Sequence, residues 1–366
     1  MNKAKRILYV NGGLMDRGGI SQFMMNYYRH MDHERLQIDF LSHGTVEGDM
    51  DEEIRSLGGI VYHIPTKRDN LFKNINGMKA IFSMNQYKLV HSHMDGMNGL
   101  TLKLAKDSGV PIRISHSHGT DHDTKNKARL VLHESARKMI PRYATHCWAC
   151  SSDAGDWLYG NRTYEIIPNA IEMKNFRFNE EVRTRVRREL GINDKYVVGY
   201  VGTLHPTKNQ IFLLEVMREV VKLDPNILLL LVGDGVARPE IEKAICKLNL
   251  AAHVKLLGLR DDVSDLQNAF DVIAFPSLWE GMPISLVEAQ TNGLPCIVSD
   301  SITREVNLTD RTEFIPLEKT LWVKKLLKRR NRKDDDYEKV RLAGYDIEAT
   351  AEKLFNAYMK MLEAVG

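Results

Sequence analysis

The feature that most constrains the fold is an alternation of short apolar runs with longer amphipathic stretches, which starts at the N-terminus and starts again past the middle. Ile7–Val10 reads as a buried strand, followed by glycines at Gly12-Gly13 and Gly18-Gly19. Ile20, Phe23, Met24, Tyr27, Tyr28 and Met31 then fall on one face of a helix. Strands follow at Ile38–Leu41, Val61–Ile64, Leu89–His91, Ile112–His116 and His146–Cys150, with helices such as Met50–Leu57 and Asn98–Asp107 between most of them. The pattern restarts at Val197–Val201. It continues through helix Gln210–Leu223, strand Ile227–Val232, helix Arg238–Leu248, strand Val254–Leu257, helix Val263–Ala269, strand Val272–Phe275, helix Ile284–Asn292 and strand Pro295–Val298. Strands that are apolar on both faces and alternate with helices form a parallel sheet covered on both sides. Two such runs predict an α/β chain with two doubly wound, Rossmann-like domains facing a cleft.

The length of 366 residues suits two domains of ordinary size. The boundary is expected between Asn169 and Asp194, with domains at residues 1–175 and 176–346. An amphipathic C-terminal helix carries Ala351, Leu354, Phe355, Tyr358 and Leu362 on one face. A formal net charge of +3 is too small to argue for nucleic acid. Four cysteines in a chain of this length are not a disulfide framework. Cys147-Trp148-Ala149-Cys150 has redox spacing but reads as a buried strand, so reduced thiols are the simpler assignment. No secretory leader is expected, and no apolar run approaches the roughly 18 residues of a spanning helix. A cytoplasmic protein is expected, with attachment to the inner face of the plasma membrane left open. Lys324–Asp336, rich in Lys and Arg and closed by three aspartates, reads as a solvated helix–turn–helix.

The strongest chemical signal is Phe275-Pro276-Ser277-Leu278-Trp279-Glu280-Gly281-Met282-Pro283-Ile284-Ser285-Leu286-Val287-Glu288. A strand ends, a loop follows, and Pro283 opens a helix in its first turn. Gly281 admits close approach of a ligand, and the free amides of the helix start favour a pyrophosphate. Glu280 can accept hydrogen bonds from sugar hydroxyls. Glu288 lies roughly 7–8 Å further along the helix axis, so the two carboxylates address opposite ends of a sugar diphosphate. In Gly202-Thr203-Leu204-His205-Pro206-Thr207-Lys208-Asn209, a loop delivers Lys208 ahead of a helix, where its ammonium reaches phosphate oxygens. Gly18-Gly19 admits a phosphate or sugar, or makes only a tight turn. Among His91, His93, His116, His118, His122 and His133, a strand-end histidine such as His118 suits contact with a polar substrate. Two histidines with no accompanying carboxylate-rich helix make a poor zinc signature.

Taken in order, Gly18-Gly19-Ile20, His118-Gly119, Ile167-Pro168-Asn169-Ala170-Ile171, Lys208-Asn209, Glu280–Glu288 and Gly293-Leu294-Pro295 resemble the retaining glycosyltransferases of family four, with the GT-B fold. The resemblance is closest to the capsular and exopolysaccharide type. It implies transfer of a hexose from a nucleotide sugar, a UDP-sugar above all, to a glycan or polyprenyl-linked acceptor. It implies no cofactor and no metal. Donor contacts would come from Gly18, Gly19, Gly202, Thr203, Lys208, Asn209, Gly233, Leu259, Glu280, Gly281, Met282, Pro283, Ile284, Ser285, Leu286 and Glu288. Within that set Glu288 would hold the ribose, Glu280 the transferred sugar, and Lys208 the leaving diphosphate. His118 and Asp121 would face the acceptor, making His118, Lys208 and Glu280 the catalytic set. The N-terminal domain would bind the acceptor, and the last helix would pack back on it. One departure stands out: where the family commonly carries an arginine after the glycine of the second domain's first strand, this chain has Thr203, and Arg260 is a candidate substitute.

A basic helix with Lys125, Lys127, Arg129, Arg137, Lys138 and Arg142 around Leu130, Val131, Leu132, Met139 and Ile140 is either a covering helix or a membrane-surface helix. Acceptor specificity is assigned to the loops Thr66–Asn76 and Thr120–Asn126. Two alternatives stay open: a non-catalytic sugar-nucleotide-binding subunit and a GT-B epimerase or phosphorylase. A dehydrogenase is disfavoured because Asn11–Gly19 lacks the Gly-x-Gly-x-x-Gly spacing.

Overall fold

The computed structural model describes residues 4–84, 87–121, 126–332 and 336–365. Contacts divide the chain into two compact units, one running to Ala170 and including the chain from Ile347 onward, the other spanning Ile171–Asp346.

In the first unit the strands are β1 (Lys5–Asn11), β2 (Leu36–His43), β3 (Val61–Ile64), β4 (Leu89–His93), β5 (Ile112–Ser117), β6 (His146–Ala149) and β7 (Glu165–Ile166). They form one sheet in the order β3-β2-β1-β4-β5-β6-β7, every pair parallel. The second unit holds β8 (Tyr196–Val201), β9 (Ile227–Val232), β10 (Val254–Gly258), β11 (Val272–Phe275), β12 (Cys296–Ser299) and β13 (Thr312–Ile315), ordered β10-β9-β8-β11-β12-β13 and again parallel. Strand order reverses beside β1 in one sheet and beside β8 in the other, the places where doubly wound sheets take ligands at strand C-termini.

The continuous apolar runs make these strands because both faces are covered. All six residues of β9 are buried, as is every residue of β2. Two strands carry no such signal in the sequence. β7 is two exposed residues, and in the edge strand β13 only Ile315 is buried. β12 starts at Cys296, one residue later than its sequence pattern suggests. Pro295 has no amide to donate, although its carbonyl accepts from Ile273 N at 2.9 Å.

Helix Gly19–Arg29 buries Phe23, Met24, Tyr27 and Tyr28. Its tyrosines tie down the end of the first unit, with Tyr27 OH donating to the Pro168 carbonyl at 2.7 Å. Helix Ile347–Ala364 buries Ala351, Leu354, Phe355, Tyr358 and Leu362. Tyr358 OH meets Tyr9 OH of β1 at 2.7 Å, which places this helix on the first sheet.

Three segments differ from the sequence reading. Thr66–Asn76 is not a single loop, because a helix begins at Leu71 and runs to Met84. Gly77 lies inside that helix, where a Cβ would meet Ile64 Cγ2 at 2.7 Å, so the glycine that obscures the helix pattern is what seats it on β3. The basic segment near 330 is not a solvated turn. Arg332 donates to the Gln267 and Asn268 carbonyls at 2.7 and 2.9 Å and stacks on Phe178, while Arg330 pairs with Glu313 at 2.9 Å. Burial lowers the Arg332 guanidinium to about 9. Lys333, Asp334 and Asp335 lie outside the described residues. The basic stretch around 130 is two helices, Lys127–Arg137 and Ile140–Tyr143. Ile140 is core, whereas Leu130, Val131 and Leu132 are 39%, 66% and 47% exposed. Lys125 lies outside the described residues.

Candidate active site

In the second unit the loops leaving β8 and β9 are pinned together. Gly202 N donates to the Val232 carbonyl at 3.0 Å, and Leu204 N to the Asp234 carbonyl at 2.9 Å. Gly233 has φ +132°, and a Cβ on it would lie 2.1 Å from the Gly202 carbonyl oxygen. Only glycine supplies both the backbone angle and the close approach. Thr203 is exposed at this point, and its carbonyl accepts from Gln210 at 3.0 Å.

The short turn Pro206–Lys208 follows, and Asn209, with φ +57°, opens helix Gln210–Leu223. This turn is joined to the loop after β11, where Leu278 N donates to the Thr207 carbonyl at 2.8 Å. The same join brings Lys208 Nζ to Glu280 Oε1 at 2.5 Å. Both side chains are largely buried, so the pair is screened less than a surface salt bridge.

Helix Ile284–Thr291 starts with Pro283 as its N-cap rather than inside its first turn, and no side chain caps it. Leu286 N turns back to the Pro283 carbonyl at 3.1 Å, and the Leu286 side chain is fully buried. Met282 is also buried, and Ser285 is half-buried. One turn on, Glu288 Oε2 accepts from Gln267 Nε2 at 3.3 Å. Desolvation by burial pushes the Glu288 carboxyl up to about 7, and the Gln267 bond only partly offsets it. Gln267 is completely buried, and its Oε1 has no partner among the described residues. Leu259 is exposed just past β10, and Arg260 is forked on Asp262 at 2.7 and 2.6 Å.

In the first unit, Gly18 caps helix Gly19–Arg29 and donates its amide to Asp16 at 2.8 Å; a Cβ on Gly19 would meet nothing within 4 Å. β4 and β5 are neighbours in register, His91 opposite Ile114, and alternation puts His91, His93 and His116 on one face with His118 just beyond β5. His91 Nε2 lies 3.0 Å from His116 Nδ1, and His93 Nδ1 lies 2.9 Å from His118 Nε2. His91 Nδ1 meets Tyr358 OH at 2.7 Å, and the His118 ring packs on Phe23 at 4.9 Å. The possible ligand atoms of His91, His93 and His116 lie within 4.8 Å of one another. Burial holds all four imidazoles well below their ordinary range, His118 at about 3, so they are neutral at pH 7.

His93 Nε2 is buried without a partner among the described residues. A buried orphan N–H is costlier than a buried orphan lone pair, so the His93 proton belongs on Nδ1, donated to His118 Nε2. Nδ1 of His118 then carries that ring's proton. Asp95, at φ +45°, accepts from His118 N at 2.7 Å and fixes the backbone there. Asp121 is exposed, His133 is half-buried on the Lys127–Arg137 helix, and His122 lies outside the described residues.

The site residues thus form two groups. Gly18, Gly19, His118 and Asp121 belong to the first unit; Gly202, Thr203, Lys208, Asn209, Gly233, Leu259 and Glu280–Glu288 belong to the second. Lys208 and Glu280 are in direct contact. Gln267 and Asp95 were not picked out from sequence, and His93 was named there only as a member of the histidine cluster. Only the sheet register and a helix pairing bring them to the site, although the His-x-His spacing repeated at 91–93 and 116–118 was a usable signal.

Residues 17–175 match the model of Glycosyltransferase Family 4, and residues 182–311 that of Glycosyl transferases group 1. EpsF of Bacillus subtilis (strain 168), to which glycosyltransferase activity is ascribed, is 34% identical over 97% of this chain and 96% of its own. The UDP-Gal:alpha-D-GlcNAc-diphosphoundecaprenol alpha-1,3-galactosyltransferase of Escherichia coli is 25% identical over 77% of this chain and 76% of its own. The crystal structure of Anabaena HepE in complex with UDP aligns over 97% of this chain and all of that one with a TM-score of 0.77 at 16% identity, and HepE has also been solved with UDP-glucose. The chain belongs to glycosyltransferase family 4, and its two parallel-sheet units are those of the GT-B fold.

Proposed function

We propose that this glycosyltransferase is a retaining, metal-independent enzyme of polysaccharide biosynthesis, moving a hexose from a UDP-sugar to a glycan or lipid-linked acceptor. The observation that carries this reading is the 2.5 Å contact of Lys208 with Glu280 at the start of a helix whose next turn bears the desolvated carboxyl of Glu288. A cation and uncapped helix amides suit a diphosphate, and two carboxylates at different depths suit the hydroxyls on either side of it. The UDP-glucose held by HepE and the diphospholipid acceptor named for the E. coli relative support the same substrate classes.

In this mechanism the glycosidic C–O bond to the diphosphate breaks first. Negative charge develops on the phosphate oxygen, where Lys208 and the helix start stabilise it. The acceptor hydroxyl attacks the same face of the sugar and gives its proton to the departing phosphate, so the anomeric configuration is kept. Neutral His118, in the first unit, hydrogen-bonds the reacting sugar or acceptor without adding charge.

The test is thermal shift with a panel of nucleotides and nucleotide sugars, with and without chelator, in wild type and Glu288→Ala. A ligand at 100 times its Kd adds about 2.7 kcal/mol. One UDP-sugar should give a chelator-resistant shift that the variant loses, and the proton NMR coupling of the product anomer should match the donor's. No shift with any nucleotide sugar would overturn the reading. Thr203 favours one second reading, a donor-binding subunit without turnover; tight UDP-sugar binding with no transfer and no hydrolysis would select it.

No helix among the described residues is long and apolar enough to cross a membrane. The exposed Leu130, Val131 and Leu132 beside Lys127, Arg129 and Lys138 suit the surface of an anionic bilayer, where a lipid-linked acceptor resides. Flotation with acidic liposomes at low salt, lost in Val131→Asp, is the expected result. Failure of the wild type to float removes membrane attachment.

A further inference from the structure

At the C-terminal edge of the first sheet lies a group that the donor chemistry does not use. β2 ends at His43 and β3 at Ile64, which are opposite each other in register, and Gly44 N donates to the Ile64 carbonyl at 2.8 Å. The loop after β1 closes on the same place, where Gly13 O accepts from His43 N at 3.0 Å and from Ser42 Oγ at 2.9 Å. Lys67 sits in a turn fixed by bonds from Asp69 N and Asn70 N to the Thr66 carbonyl at 3.2 and 3.1 Å. Asp69, the acid nearest to it in sequence, is taken by Thr66 Oγ1 at 2.8 Å.

Two polar groups here lack partners. Lys67 is partly buried and makes no ion pair among the described residues, and burial alone lowers its ammonium to about 8. His43 is 4% exposed, and its Nε2 has no partner among the described residues. Its ring is held neutral, pushed to about 3 by burial and by the nearby Lys67 charge. A buried orphan N–H costs more than a buried orphan lone pair, so the ring's one proton belongs on Nδ1 and Nε2 is the acceptor. An uncompensated cation beside an unused acceptor matches a ligand that carries both an anion and a hydroxyl.

We propose that Lys67 and His43 form an acceptor subsite for an oxyanion borne by a sugar, the ammonium taking phosphate or carboxylate oxygens while His43 Nε2 accepts from a neighbouring hydroxyl. This rests on the reading of the first unit as the acceptor domain, and it narrows the acceptor to anionic glycans or glycosyl phosphates.

The test is calorimetric titration of the full chain, saturated with UDP, using α-glucose 1-phosphate, glucuronate and neutral methyl α-glucoside. At least one anionic probe should bind more tightly than the neutral one. Lys67→Met should weaken that probe by roughly tenfold or more, and Lys67→Arg should retain most of it. His43→Gln should cost a smaller factor. Preference for the phosphate identifies a phosphoryl acceptor, and preference for glucuronate a uronic acid. Equal binding of charged and neutral probes, or unchanged binding in Lys67→Met, overturns the proposal. UDP affinity is measured in the same variants and should not move. Failure of wild type to bind UDP counts against the donor reading instead, and the probes are then titrated without it.

Discussion

Replacing Glu288 by glutamine keeps its shape and removes its charge, and the consequences differ in sign with and without donor. In the free protein, burial raises the carboxyl from 4.5 to about 7. That displacement makes the ionised form about 3 kcal/mol less favourable in the fold than in the unfolded chain. The native state therefore holds a proton that the unfolded state has released between about pH 4.5 and 7. Stability falls as pH rises through that window and stays lower above it. Glu288→Gln has no such window. It should match wild type near pH 4.5 and exceed it by up to about 3 kcal/mol at pH 8, read by urea denaturation. Donor binding should show the reverse preference. If ribose hydroxyls donate to the ionised carboxylate, only about one site in ten is ready at pH 6, so UDP-glucose should bind about tenfold more tightly at pH 8. A sugar diphosphate has no titration of its own in that range. Losing a charged acceptor is worth about 1.5–3 kcal/mol, so the variant should bind at least about tenfold more weakly at pH 8 and show no pH dependence. Isothermal titration from pH 6 to 8 measures both. Flat wild-type affinity, or a variant that binds as well as wild type at pH 8, would refute the assignment of Glu288 to the ribose.

Lys208→Met should lower single-turnover transfer about 10²–10³-fold while changing donor affinity by much less, because the ammonium acts on charge that appears as the diphosphate leaves; an unchanged rate removes it from the chemistry. Gly233→Ala forces a side chain into φ +132° and to within 2.1 Å of the Gly202 carbonyl, so denaturation should show a loss of at least about 2 kcal/mol. Gly19→Ala, which meets open space, should stay within about 1 kcal/mol. The buried neutral imidazoles of His91, His93, His116 and His118 have folded values below the unfolded 6.5, so the unfolded chain takes up protons first as pH falls. Urea stability should drop by as much as about 5 kcal/mol between pH 7.5 and 5.5, and a flat profile would mean that these rings are not buried as described.

Much of the fold was legible because parallel strands covered on both faces must be continuously apolar, as Ile227–Val232 is. β7 and β13 were illegible for the same reason: at a sheet edge only one residue in four of β13 is buried, and neither of the two in β7. On the donor side, Glu280, Glu288 and Lys208 stood out because a strand end, a glycine and a helix start are local signals. The contact of Lys208 with Glu280 was not, since it spans 72 positions and depends on β8 lying next to β11. The histidine group needed the pairing of β4 with β5 in the same way. The basic stretch near Arg332 misled because its composition suits solvent, whereas the guanidinium groups close off orphan carbonyls at a helix C-terminus and a strand entry, a use of arginine that sequence does not distinguish from a solvated face.

The electrostatics of the donor side also bear on which part of a nucleotide sugar it grips. Glu280 neutralises Lys208 in the donor-free protein, and Thr203 brings no charge to its loop. Arg260 is already forked on Asp262, so recruiting it would break a two-bond ion pair. A diphosphate arriving here finds helix amides and a cation that it must share with a carboxylate. On the proposed reading the nucleoside end would find more: a carboxyl poised near neutrality and the buried Gln267 Oε1, which has no partner among the described residues. Ground-state affinity on this account comes mostly from ribose and base. In the proposed mechanism Lys208 would act at the moment the phosphate acquires charge, when the stronger anion would compete with Glu280 for the ammonium and free Glu280 to hold the sugar. A site organised in this way favours the transition state over the bound donor, since the interaction with Lys208 strengthens only as the glycosidic bond breaks.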